Sequence, residues 1–154
     1  MKISLRECLQ SGMILDWRSG TDIEAIPLLA AKFERPDDGE EWTWITLGDV
    51  QVTVQCGEAG NKVFFSTINP GSSGAKTIRG CRGFSIAANG LRPRMMKGDF
   101  TRWCEENGVI YAVRDDLPGS NGNVLRIGAA GLADAYFGMK DRKSELEQIH
   151  LASR

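Results

Sequence analysis

Apolar residues first recur at helical spacing. Leu5, Cys8, Leu9, Gly12 and Met13 fall at i, i+3, i+4, i+7 and i+8, which predicts an N-terminal helix with one stripe against a core. Ser19-Gly20 marks a break after it. Thr21 to Glu24 has capping-box spacing, but Pro27 would sit deep inside a helix begun there and remove an internal hydrogen bond. The pattern therefore predicts extended chain from Pro27 to Glu34, turning through residues 35–39 and pairing with Trp42 to Leu47.

From Trp42 the period changes to two. Trp42 to Leu47 is rich in aromatic and β-branched residues, and Val50 to Cys56 alternates apolar and polar. Lys62 to Ile68 follows as a third strand, and the short loops between the three predict an antiparallel meander. Trp42 and Trp44 share a strand face with Thr46, and the expectation for so large an apolar pair is core placement. Periodicity then fails between residues 71 and 98, where glycine recurs at 71, 74, 80, 83, 90 and 98. Gly98-Asp99 predicts a middle helix with Asp99 as its cap and Phe100, Trp103 and Cys104 on one side, ended by Asn107-Gly108. Val109 to Val113 and Val124 to Ile127 read as paired strands around a turn-rich loop. A last helix is predicted over 132–151, with Leu132, Tyr136, Met139, Lys143, Leu146 and Ile149 on one face. The sum is a single α+β domain over residues 1–154. It has an antiparallel sheet of about five or six strands, N-terminal, middle and C-terminal helices, and a Gly/Arg-rich irregular segment at 71–98.

Composition narrows the chemistry. No apolar run approaches the roughly 18 residues of a membrane span, and charges interrupt the first eight residues, so the expected location is the cytoplasm. The four cysteines form no Cys-x-x-Cys pair and His150 is the only histidine, so no metal site and no cofactor is predicted. The cysteines read as reduced thiols serving as small apolar residues. Asp37-Asp38 with Glu40-Glu41, and Asp115-Asp116, lie in turn sequences where aspartate bonds to local backbone.

Charge is unevenly spread. Seven basic residues and one acidic residue lie between Gly71 and Cys104, a net +6 within a chain of net −1. Arg79, Arg82, Arg92, Arg94, Lys97 and Arg102, with Trp103 beside them, are the candidate residues for binding a partner or an anion. The planar arginine fork suits carboxylate and phosphate, and interleaved glycine allows close approach. A second candidate is a phosphate cradle at Arg126, Gly128 and Gly131, where a strand is predicted to run into a helix. Neither the Gly-x-Gly-x-x-Gly nor the Gly-x-x-x-x-Gly-Lys-Ser/Thr pattern is present.

These features lead to a non-enzymatic binding protein that docks a macromolecular partner, most simply a protein, through its basic segment. Inhibitor or immunity proteins carried by phages and mobile elements act in this manner, with Asp37 to Glu41 available for a basic surface. Nucleic-acid or nucleotide binding by the same segment is the first alternative. A small transferase using a phosphate-bearing cosubstrate at Arg126 to Gly131 is the second.

Overall fold

The helical spacing from Leu5 folds as predicted. In the computed structural model, which describes residues 1–138 and 144–151, a short strand β1 (Lys2–Ser4) leads into α1 (Leu5–Ser11) with Leu5, Cys8 and Leu9 buried. Gly12 takes a left-handed φ of 72°, and its N–H returns to the Cys8 carbonyl at 2.8 Å to close the helix. None of these described helices is long and apolar enough to cross a membrane.

Pro27 does not extend the chain. A single 3-10 turn over Ile23–Ala25 stops short of it, and α2 (Pro27–Lys32) begins on it. At the first helical position a missing N–H is no loss, and the proline ring already holds a helical φ. The predicted pairing of Pro27 to Glu34 with Trp42 to Leu47 is therefore replaced by a helix beside a sheet edge.

The period-two segments fold as β2 (Trp42–Leu47), β3 (Val50–Gly57) and β4 (Gly60–Ile68), an antiparallel meander. Within the irregular segment, β5 (Ser85–Ala87) pairs parallel with β1. The middle helix α3 (Lys97–Glu106) starts after Met96, so Asp99 lies in its first turn rather than at its cap. Next come β6 (Tyr111–Val113), β7 (Val124–Ile127), β8 (Ala133–Phe137) and β9 (Leu146–Leu151).

The last two strands correct the predicted C-terminal helix. Gly138 adopts φ 58° directly after β8, which a continuous helix could not cross. On either side, 133–137 and 146–151 are each the length of a strand and pair antiparallel with one another. Met139 and Lys143, counted on that helix face, lie outside the described residues.

The fold is thus α+β, with an antiparallel seven-stranded sheet in the order β2-β3-β4-β9-β8-β7-β6 and three helices. One sheet face supplies Ile45, Leu47, Val52, Ile68, Ile149, Ala135 and Leu125 to the core. The helices and the 71–98 segment cover that face, contributing Leu9, Leu29, Ile78, Phe84, Leu91, Phe100 and Trp103. The opposite face holds polar and aromatic residues, of which Trp44 is exposed while Thr53, Thr67 and Asp134 are buried.

Candidate functional site

The basic segment is not loose, and Asp49 is the reason. This residue sits in the two-residue turn between β2 and β3 and is fully buried, an expensive place for a carboxylate unless its oxygens are bonded. Its Oδ1 accepts from Ser72 Oγ at 3.1 Å and from the Ser73 N–H at 2.8 Å, and its Oδ2 from the Arg79 N–H at 2.9 Å. Its own N–H donates to the Arg79 carbonyl, and its carbonyl accepts from Asn69. Every polar group of Asp49 therefore holds the 69–79 segment. Burial alone would raise its pKa, but the Arg79 and Ser73 amides and the two serine side chains carry it below the ordinary carboxylate value. Gly48 adds a close approach, since a β-carbon there would fall 2.3 Å from the Arg79 and Gly80 carbonyl oxygens.

Farther along, Ile78, Phe84, Leu91 and Met95 are buried and anchor the segment to the core. Asn89 ties it to the N-terminus. Its Oδ1 accepts from Ser4 Oγ and from the Arg6 N–H, and its carbonyl accepts the Trp103 indole N–H at 2.7 Å. The short α1, which has no side-chain cap of its own, gains one from Asn89.

The predicted cations separate into groups on this frame. Arg92 and Arg102 converge on Asp99, at 3.7 and 3.2 Å, over a shallow depression that also borders Asn89, Glu106 and Asn107. Arg94 pairs with Glu145 at 3.1 Å and faces Lys76 across a neighbouring depression floored by Gly71 and Pro93. The three guanidinium-bearing side chains remain 59%, 67% and 73% exposed, so the carboxylates orient them without covering them. Lys97 is held differently, with Nζ donating to the Gly122 carbonyl at 3.1 Å. Arg79 and Arg82 line neither depression: the Arg79 main chain bonds Asp49 at the β2–β3 turn, and Arg82 lies in the tight turn closed by Cys81 and Phe84. Trp103 is only 5% exposed, packed beside Phe100 in the core, so it offers a partner little surface.

Compared with known protein families, curated proteins and solved structures, the chain matches none. The geometry must therefore carry the functional argument unaided.

The predicted phosphate cradle is not formed. After Ile127 the chain turns into β8, an antiparallel strand, so no helix N-terminus faces Arg126. The amides of Gly128, Ala130 and Gly131 already donate to the carbonyls of Ile110, Gln10 and Gly128. Arg126 Nε instead bonds Asp134 Oδ1 at 3.3 Å. The carboxylate runs behave as turn chemistry: Glu40 donates its N–H back to the Asp37 carbonyl, and Asp116 pairs with Arg114. Among the described residues no group of acidic, cysteine and histidine side chains has a metal-binding arrangement. The four cysteines are free thiols. Burial pushes Cys8 and Cys104 up to about 12, which keeps both protonated and poorly nucleophilic.

A polar row that sequence reasoning missed crosses the open face of the sheet. Thr46, Gln51, Thr67, His150, Asp134, Arg126 and Ala112 are successive register partners from β2 to β6. Asp134 is buried and neutralised from two sides, by Arg126 and by Arg114 Nη1 at 3.0 Å. His150 stacks on Phe65 at 4.5 Å, and burial lowers its pKa, so the ring is neutral at pH 7. A register shift at Thr53/Val54 leaves Phe64 as the extra residue of a bulge between Val63 and Phe65. Through it the aromatic contact runs from Trp42 to Phe64, Phe65 and His150. The tryptophans are accordingly on this face, with Trp44 61% exposed, which corrects the expected core placement of that pair: Ile45 and Leu47 on the opposite face of β2 are the buried residues. One signal for the row existed in the polar positions Gln51 and Thr53. The remainder was hidden by reading residues 146–151 as helix.

Proposed function

We propose that this chain is a non-enzymatic binding protein of the inhibitor type that docks an acidic protein surface in the cytoplasm. The contact residues are Lys76, Arg92, Arg94 and Arg102. One observation carries this reading: three arginines are held in fixed orientations by Asp99 and Glu145 on a buried frame while most of each side chain stays in solvent. Ordering a long side chain on binding costs about 0.5–1.5 kcal/mol, and here part of that cost is met before the partner arrives. A guanidinium already donating to one carboxylate has five N–H groups in all, enough to donate to a second. Among the described residues, three carboxylates (Asp99, Glu106 and Glu145) against four cations leave the cluster with a net positive charge, which steers an acidic partner toward it.

The test is capture from nuclease-treated host lysate with the wild-type chain and the variant Arg92→Glu/Arg94→Glu/Arg102→Glu. These positions are exposed, so the variant is expected to fold. An acidic protein held by the wild type at about 50 mM salt should be released near 500 mM and absent from the variant. Identical capture by both chains contradicts the proposal. Capture that vanishes with nuclease treatment transfers the site to nucleic-acid binding.

A further inference from the structure

The sheet carries a second surface at its β2 edge, separate from the four-cation cluster. β2 has a neighbour on one side only. Glu41 accepts the Cys56 N–H at 2.8 Å, and Leu47 pairs with Val50 across the two-residue turn. In an antiparallel ladder this alternation turns the main-chain N–H and C=O groups of Trp42, Trp44 and Thr46 outward. Among the described residues no strand pairs with them. The edge borders a groove lined by Ala31, Lys32, Phe33 and Glu34 on one side and Thr43 to Thr46 on the other. Natural sheets blunt such an edge with lysine, proline, a bulge or a covering helix or loop, and here residues 31–34 flank the edge across the groove without a strand pairing to it. Trp42 to Leu47 contains neither charge nor proline and pairs with β3 in unbroken register.

The two ends of this edge differ in sign. Beside Trp42 stand Asp37, Asp38, Glu40 and Glu41, all exposed. Just past Leu47, the main chain of Arg79 bonds Asp49 and lies against Gly48, and Arg82 follows at the tip of a tight turn closed by Cys81 and Phe84. That tip lies against α2, with the Gly83 β-position 3.8 Å from Leu28, on the helix whose end flanks the β2 groove.

We infer that a second copy of this chain occupies the edge, the two β2 strands pairing antiparallel about a two-fold axis at Trp44. In this register Trp44 faces its own equivalent, Thr43 faces Ile45 and Trp42 faces Thr46. Every pair then joins residues of the same sheet face, as continuous pleating requires. Glu41 and Glu40 of each copy arrive beside Leu47 and Gly48 of the other, at the end of the edge from which the Arg79–Arg82 segment departs. The charge contact occurs twice, once at each end, and the isologous interface closes on itself. A parallel copy would set acid beside acid, and an uncharged extended peptide would satisfy the ladder while leaving both charged ends unmatched.

Light scattering coupled to size exclusion, over a dilution series, reads the result directly. The wild type should show twice the 16.9 kDa chain mass. Trp44→Lys places like charges on the axis and should raise the dissociation constant at least about thirty-fold. Glu40→Arg with Glu41→Arg should dissociate the dimer, and adding Arg79→Glu with Arg82→Glu should restore it. All five positions are exposed, and an unchanged thermal transition of the monomeric variants verifies their fold. A wild type monomeric at every concentration overturns the inference, even if it captures an extended peptide. So does a dimer indifferent to Trp44→Lys, or a charge reversal that the opposite reversal does not rescue.

Discussion

Replacing Asp49 with alanine is expected to lower stability by about 3–5 kcal/mol, one of the two largest single-site effects in this chain. Hydrogen bonds to a charged group contribute about 1.5–3 kcal/mol each, without strict additivity, and three converge on this carboxylate. Truncation also removes the acceptor from the Ser73 and Arg79 N–H groups, whose bonds to Asp49 are partly buried. For a chain of this length each kcal/mol shifts the melting temperature by about 2–4 °C, so a drop near 10 °C or more is the calorimetric reading. Asp49→Asn separates charge from shape. The folded carboxyl titrates below its ordinary value, so its contribution is complete above that value and declines as pH falls through the folded one. Wild-type stability should therefore decline on the acid side, with a slope that Asp49→Asn reduces. Equal acid slopes for the two proteins would show that Asp49 does not hold the segment.

Gly128→Ala is expected to be comparably severe, at about 3–5 kcal/mol. The residue sits at φ 84°, where an L side chain costs about 1–2 kcal/mol, and its β-carbon would lie 2.2 Å from the Leu9 carbonyl oxygen. That oxygen belongs to α1, a backbone that cannot rotate aside as a side chain can, so overpacking adds at least 1–3 kcal/mol by usual magnitudes. Denaturant unfolding should show the midpoint falling with little change in slope. A loss under about 1 kcal/mol would mean that α1 shifts freely on the sheet. The same geometry accounts for the glycines of the predicted phosphate cradle: Gly128 and Gly12 let α1 press against the β7–β8 turn, where Gly12 would otherwise strike Leu132 at 2.4 Å.

Much of the fold could be read from residue pattern, and its failures have physical causes. β2 and β3 were legible because apolar Ile45, Leu47, Val50, Val52 and Val54 all fall on the one face that meets the core. α1 followed its stripe because one side of it meets the core. The error at Pro27 came from measuring its depth in a helix begun at Thr21, when the proline itself begins the helix. The C-terminal error came from counting widely spaced apolar residues across Gly138, whose left-handed φ ends any such run. For the cationic segment the sequence showed charge but not order. Its order comes from Asp49 and Asn89, polar residues distant in the chain that satisfy backbone groups no local pattern reveals. Trp103, which sequence proximity grouped with the arginines, was claimed by the core because its indole N–H finds the Asn89 carbonyl.

The measurement that bears most directly on the account is the association rate with the captured acidic partner across ionic strength. With orientated, exposed arginines doing the steering, the association rate constant should fall at least about tenfold between 50 and 500 mM salt, while dissociation changes less than about threefold. An association rate indifferent to salt, or a salt effect confined to dissociation, would contradict docking through these cations.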